Sequence, residues 1–298
     1  MLCIEVKLNF KAEISVCMPE LPEVESFKRY IDSTSLQKPI EAIEVRSNLI
    51  LEDLTPDKLE KSLVGQKFLS CQRYGKYLFI DVDRKFSLIM HFGMTGNLKY
   101  FKDMKDDPKH DRLLVSFKNG FNLAFDCQRK FGRVAIASTI ENFVKRKKLG
   151  KDALAFEFDS FKDTMRKKRG TIKYTLMNQH VIAGIGNLYS DETMFQTGVH
   201  PQTKVANLDD ETLKALFENM QSILRTAIII QVHFSHFPKD YLTPNRMKGA
   251  ECPRCGGKIQ TLKVSGRTAY FCSKHQKAKQ HAQRQAFQPS QAENFGLL

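Results

Sequence analysis

The chain has 298 residues, enough for two domains with cores of their own. Its 42% apolar content and 22 phenylalanines fit a folded protein, and no apolar run approaches the roughly 20 residues needed to span a bilayer. A formal charge of +14 favours a polyanionic partner, nucleic acid ahead of a membrane surface.

Residues 1–17 carry Glu5, Lys7, Lys11 and Glu13 through their middle, so they lack the apolar stretch of a secretory signal. Met18-Pro19-Glu20-Leu21-Pro22-Glu23 follows. If the mature chain begins at Pro19, it presents a free secondary amine able to attack a sugar carbon. Inside a peptide bond the same nitrogen has lost its lone pair to amide resonance. Taken alone, Pro19 is an ordinary turn residue, and Glu20, Glu23 and Glu25 are acids favoured near a helix start.

Residues 20–32 are predicted helical, with Leu21, Val24, Phe27 and Ile31 at helical spacing. From about 40 to 138 the pattern is of short strands, including Leu78–Val82, Ser87–Met90, Leu113–Phe117 and Phe121–Phe125. Asn119-Gly120 between the last two predicts a two-residue hairpin turn. Such spacing suggests a β-sandwich or barrel. The basic stretch Lys145-Arg146-Lys147-Lys148, with Lys151, marks a boundary, beyond which helices are expected at 161–178, interrupted by Gly170, and at about 209–230. Asp209 is the expected N-cap of the second, with Leu208 stapled onto Leu213. The Gln- and Ala-rich tail after Gln276 reads as disorder or a frayed helix.

Cys252-x2-Cys255, sixteen residues, then Cys272-x2-His275 has the spacing of a structural zinc site built on a β-hairpin, with Val264-Ser265-Gly266-Arg267 near its turn. Four protein ligands leave no open position for a catalytic water. Cys3, Cys17, Cys71 and Cys127 are scattered, a pattern of a reducing compartment rather than a disulfide framework.

Several segments then fall into a familiar order: Pro19–Glu25, Gly75-Lys76-Tyr77-Leu78, His91-Phe92-Gly93-Met94-Thr95-Gly96, Arg129-Lys130-Phe131-Gly132, Gly184–Glu192 and the zinc hairpin. Together they resemble the bacterial formamidopyrimidine-DNA glycosylase family, within the wider Fpg/Nei group, from Pro19 to about Lys277. The resemblance implies an α+β multidomain fold. Its parts would be an extension at 1–18, an N-terminal antiparallel β-sandwich with a helix at 19–144, a helical helix–two-turn–helix domain at 145–247, a zinc hairpin at 248–276, and a tail at 277–298.

The resemblance further implies a bifunctional DNA glycosylase and abasic-site lyase, which takes the damaged nucleotide out of the duplex. Pro19 matches the nucleophile and Glu20 the proton donor. Lys76 matches a lysine that touches phosphate and takes part in β-elimination, and Arg267 an arginine assigned to δ-elimination. Met94, Arg129 and Phe131 match the wedge that fills the vacated stack. His110, Arg169, Lys173 and Asn187 match further DNA contacts. By residue type alone, a Met and a Phe in strands are core residues as readily as a wedge, and Arg166-Lys167-Lys168-Arg169 is equally a solvated helix face.

The chain departs from the family pattern in four places. His275 stands where a fourth cysteine is usual. Asp126 and Arg129 are separated by one residue more than usual. The glycine-rich insert that closes over an oxidised guanine is missing between Ala227 and Cys252, and residues 1–17 have no counterpart. The expected activity is excision of formamidopyrimidine and 8-oxoguanine by a monomer acting on double-stranded DNA in the bacterial cytoplasm, near the nucleoid, with one structural Zn2+ and no membrane. The alternatives are an Nei-like enzyme for oxidised pyrimidines and, with Pro19 blocked, a non-catalytic binder of damaged DNA.

Overall fold

The structure, a computed structural model, describes residues 18–83 and 85–277; the expectations for residues 1–17 and for the tail beyond Lys277 lie outside these. Helix α1 (Leu21–Thr34) starts after Glu20, whose backbone is extended, and carries Pro22 in its first turn, where a missing N–H costs nothing. Its apolar residues serve two cores. Val24, Phe27 and Ile31 enter the core of the N-terminal half, and Leu21 enters the helical core that follows. Pro19 and Glu20 are thereby held between the halves.

Strands β1 (Ile40–Val45), β2 (Ser70–Tyr74), β3 (Tyr77–Asp83), β4 (Phe86–His91), β5 (Gly96–Phe101), β6 (Asp111–Phe117), β7 (Asn122–Cys127) and β8 (Arg133–Ala137) form two four-stranded sheets. Their orders are β1-β6-β7-β5 and β2-β3-β4-β8, and every pairing is antiparallel. The two-residue period of a strand divides the side chains between faces. Leu113, Val115 and Phe117 join the core between the sheets, whereas Leu114 packs outside with Phe101 and Ala124. This is the sandwich the sequence suggested.

Three details differ from the sequence reading. The β6–β7 loop has three residues, Lys118–Gly120, because Phe117 pairs with Phe121. Gly120 takes φ +79° there and supplies the left-handed residue that ends a type I turn. Helix α2 (Pro56–Leu63) interrupts the strand region; Thr55 caps it by accepting from the Lys58 N–H, and Leu59 and Leu63 are buried. Helix α3 (Ile140–Arg146) absorbs the start of the basic stretch, and Arg146 and Lys147 pair with Asp53 and Glu52 of the sandwich.

The C-terminal half contains β9 (Lys151–Asp152), α4 (Phe158–Arg166), α5 (Ile172–Met177), β10 (Ile182–Ala183), α6 (Asn187–Thr197) and α7 (Asp210–Ile229). The helix expected over 161–178 is therefore two, α4 and α5, parted around Gly170, with Thr171 capping the second. Asp209 caps α7 by accepting from the Thr212 N–H at 2.8 Å, and Leu208 and Leu213 are buried in one core. Finally β11 (Ile259–Val264) and β12 (Arg267–Cys272) pair across a two-residue turn, Ser265-Gly266, both at positive φ. Among the described residues no helix is long and apolar enough to cross a membrane.

Candidate active site and metal centre

An open pocket of about 230 Å3 lies where the sandwich, the helical half and the hairpin meet. Pro19, Lys76 and Arg267, expected as catalytic, and Asn187, expected on DNA, all line it. These four come from widely separated parts of the sequence. Met18 lines the pocket too, so the chain runs into the cavity through the peptide bond on which the sequence argument turned.

Glu20 is buried beside this pocket, with its carboxylate at the N-terminus of α6. One oxygen accepts from the Gly186 N–H and the other from the Leu188 N–H at 2.9 Å. These are N–H groups that a first helical turn leaves without helical partners, at the positive end of its dipole. The Leu21 N–H in turn donates to the Gly184 carbonyl at 3.0 Å, so the start of α1 and the turn before α6 are fastened together.

Glu23 lies behind, fully enclosed, accepting from the Glu20 N–H at 2.8 Å and the Tyr189 hydroxyl at 2.9 Å. Burial, and then the neighbouring Glu20 carboxylate, push its carboxyl up to about 7. The pair thus joins a carboxylate bound to backbone donors with a carboxyl that holds its proton near neutrality.

Lys76 stands in the Gly75-Lys76 turn between β2 and β3. That turn is fixed from behind: the Gly75 N–H donates to Asp152 at 2.7 Å, and Arg73 pairs with both Asp152 and Glu25. Gly186 is where these groups converge. A Cβ built there would overlap the Glu20 carboxyl and the Lys76 Nζ. Gly186→Ala is therefore expected to fold but to cut strand cleavage at an abasic site by about 100-fold, the scale of a 1 Å misplacement of a reacting group. Single-turnover cleavage alongside a thermal melt checks this, and cleavage at the unaltered rate refutes it.

His91, at the end of β4, also lines the pocket and carried no assignment from the sequence. Burial, followed by the charges of Lys76, Arg133 and Lys147, pushes its imidazole down to about 4, so it is neutral at physiological pH. Its Nδ1 accepts from the Gly93 N–H at 3.2 Å, which directs the other nitrogen to act as donor. Met177 and Gln179 were missed as well. Gln179 holds the turn before α6, donating to the Ile185 carbonyl and accepting from the Gly184 N–H.

The expected wedge residues are neighbours. Met94 is half-buried in the turn before β5, and the Arg129 N–H donates to Thr95 Oγ1 at 3.1 Å. The Arg129 guanidinium lies 5.3 Å from the centre of the Phe131 ring, which is 49% exposed. The longer Asp126–Arg129 spacing is accommodated by a turn with Lys130 at φ +55°, closed by hydrogen bonds from Lys130 and Gly132 back onto Cys127. His110 is partly exposed beside this loop, its carbonyl accepting from the Cys127 N–H, and Arg169 is exposed before α5.

Lys173 differs from expectation. It is fully buried, and its ammonium donates to Asp191 at 2.6 Å, Ser190 at 3.1 Å and the Asn187 carbonyl at 3.3 Å. An ammonium so enclosed does not reach a phosphate; it braces the first turn of α6. The sequence placed Lys173 correctly on α5 but could not say which face the helix buries.

Cys252, Cys255, Cys272 and His275 bring one donor atom each to within 4.8 Å of all the others. Cys255 Sγ lies 3.5 Å from Cys272 Sγ, and Cys252 Sγ lies 3.5 Å from His275 Nδ1. A zinc tetrahedron with its usual bond lengths has edges of about 3.5–3.8 Å. The other imidazole nitrogen, Nε2, is 3.2 Å from the Phe195 carbonyl, which fixes the tautomer that leaves Nδ1 for the metal. The residues therefore fit one structural zinc.

The comparisons agree with this geometry. Residues 18–134 match the Formamidopyrimidine-DNA glycosylase N-terminal domain, residues 149–237 the Formamidopyrimidine-DNA glycosylase H2TH domain, and residues 249–274 a zinc finger found in FPG and IleRS. Formamidopyrimidine-DNA glycosylase of Aliivibrio fischeri is 32% identical, over 87% of this chain and 98% of its own. That of Bacillus subtilis is 31% identical, over 88% and 100%. Among solved structures, MutM in complex with carbocyclic 8-oxo-G containing DNA superposes with a TM-score of 0.79 at 30% identity, covering 87% of this chain and 99% of that one. The Lactococcus lactis Fpg bound to abasic-site DNA gives 0.78 at 30%, covering 86% and 99%. With all three segments matched in order and relatives covered almost end to end, the chain belongs to the formamidopyrimidine-DNA glycosylase family.

Proposed function

We propose that this protein is a base-excision repair enzyme, a DNA glycosylase with abasic-site lyase activity acting on oxidised bases in duplex DNA. The observation that carries the reading is the meeting of Pro19, Glu20, Lys76, Asn187 and Arg267 around one open pocket. In the proposed reaction the unacylated Pro19 nitrogen bonds to C1′ of an extruded nucleotide, and the glycosidic bond breaks. Its electron pair leaves with the base, which takes up a proton. Glu20, as proton donor, opens the sugar ring. The iminium that results acidifies the C2′ hydrogen, and its loss expels the 3′ phosphate; a second elimination expels the 5′ phosphate. Lys76, Asn187 and Arg267, with neutral His91, would hold the phosphates on either side. Lys173 acts indirectly, through the Asn187 turn. Zinc, when bound, supplies the fold of the hairpin that carries Arg267 and no step of the reaction.

The wedge is assigned to Met94, Arg129 and Phe131, with His110 and Arg169 on the flanking backbone. Four working units follow: the sandwich at 19–144, the helix–two-turn–helix unit at 145–247, the hairpin at 248–276, and terminal segments at 1–18 and 277–298. A site beside the nucleoid in a bacterial cytoplasm fits this chemistry.

Lesion choice is proposed to be broad. Residues 230–241 lie against the helical core, which Ile230, Phe234, Phe237 and Tyr241 join, and none of them lines the pocket. A base in an uncovered pocket meets few groups that could reject it. Excision of formamidopyrimidine, 8-oxoguanine and an oxidised pyrimidine from otherwise identical duplexes is expected at rates within roughly 100-fold of one another. No excision of either purine lesion, with the pyrimidine removed, would transfer the assignment to an Nei-like activity.

A further inference from the structure

Two consecutive buried carboxylates on α6, Asp191 and Glu192, join the helix to the hairpin. Glu192 accepts from the Leu242 N–H at 3.1 Å and from the N–H and hydroxyl of Thr243 at 2.7 and 2.6 Å. Asp191 is wholly buried and fully subscribed. Its Oδ1 takes the Lys173 ammonium at 2.6 Å; its Oδ2 takes Arg246 Nη2 at 2.7 Å, Arg246 Nε at 3.0 Å and the Tyr270 N–H at 3.2 Å.

Arg246 is the element that unites these contacts. Its guanidinium grips Asp191 through two nitrogens, stacks 4.4 Å from the centre of the Tyr270 ring, and approaches the Asn187 carbonyl at 3.5 Å. Tyr270 lies on β12 three residues after Arg267, a distance of about 10 Å along a strand. One planar cation thus touches the turn that carries Asn187 and the strand that carries Arg267. Both of these residues line the pocket.

We propose that Arg246 is a positioning residue, which sets the hairpin's Arg267 at a fixed distance from Asn187 so that the two can close on the same backbone. This rests on the assignment of Arg267 to the second elimination made above. The pairing geometry matters: the fork of an arginine fixes an angle as well as a distance, and its flat face uses the Tyr270 ring as a backstop. A lysine would supply the charge without either constraint. The first elimination, which needs Pro19 and Lys76, should be nearly indifferent to the change.

The test uses the zinc-loaded, full-length protein beginning at Pro19 and a duplex with one abasic site. Wild type, Arg246→Met and Arg246→Lys are compared by borohydride trapping, by zinc content, and by the ratio of singly to doubly eliminated product. Arg246→Met is expected to keep its zinc and its trapping rate while the second elimination slows by about 10- to 100-fold. Arg246→Lys should fall between, because charge returns without the fork. A wild-type product ratio in zinc-loaded Arg246→Met overturns the proposal. If that variant loses zinc or fails to fold, Tyr270→Leu, which keeps its N–H to Asp191 but removes the ring, is expected to slow the same step. An unchanged ratio there overturns the proposal equally. Failure of the wild type itself to trap would instead strike the proposed function.

Discussion

Protein that begins at Pro19 is expected to form a borohydride-stable adduct with abasic-site duplex DNA, and protein that retains Met18 to form none, a difference of roughly 10³-fold or more in trapping rate. Two effects act together. The Met18–Pro19 amide removes the nitrogen lone pair, and the Met18 side chain itself lines the cavity that would receive the sugar. The α-amino group of the shorter protein has an ordinary pKa of about 7.7–8.0, so a useful neutral fraction exists at physiological pH and trapping should rise as pH passes through that range. Two fusions cut to release either residue supply the comparison. Equal trapping by both would remove Pro19 from the mechanism. DNA affinity without trapping in either form would point to the non-catalytic binder.

Loss of the zinc should be nearly as damaging, by a different route. The hairpin shares only a small apolar cluster with the rest of the molecule, including Phe195, Leu242 and Ile259, so burial alone supplies little of its stability. Cys255→Ser is expected to abolish stoichiometric zinc and release the hairpin, taking Arg267 and Tyr270 out of register. Strand cleavage should fall by about 100-fold or more, the scale set by removal of a donor aimed at developing charge. Far-UV circular dichroism should change little, because α6 and α7 pack in a separate core. Metal analysis with cleavage assays decides the matter, and full cleavage by zinc-free protein would show that the hairpin is dispensable.

Much of the architecture could be read from local chemistry. Alternation in Leu113–Phe117 reports a two-faced strand, Asp209 reports a helix start, and paired cysteines and a histidine report a metal site, because each signal acts over a few residues. The misreadings have a common cause. Thr55-Pro56-Asp57 carried the capping chemistry of α2, but its apolar residues were too few to outweigh the surrounding strand pattern. The choice between a two-residue and a three-residue loop at Asn119-Gly120 depended on which residues pair across β6 and β7. Lys173 looked like a surface cation because its partner, Asp191, is brought to it only by the packing of α5 on α6. Arg246 gave no local signal at all; its carboxylate lies 55 residues earlier. Site residues were legible where a motif carried them, and braces between motifs were not.

The placement of residues 230–241 against the helical core has a kinetic consequence. Enzymes that fold a flap over their substrate often spend most of each cycle waiting for it to open. Here no such flap stands over the base, so neither entry of a damaged base nor escape of the freed one has a gate to wait for. Turnover would then be timed by the parting of enzyme and nicked DNA, a step dominated by charge. Added salt, by loosening that grip, should shorten each cycle until it begins to prevent the next encounter.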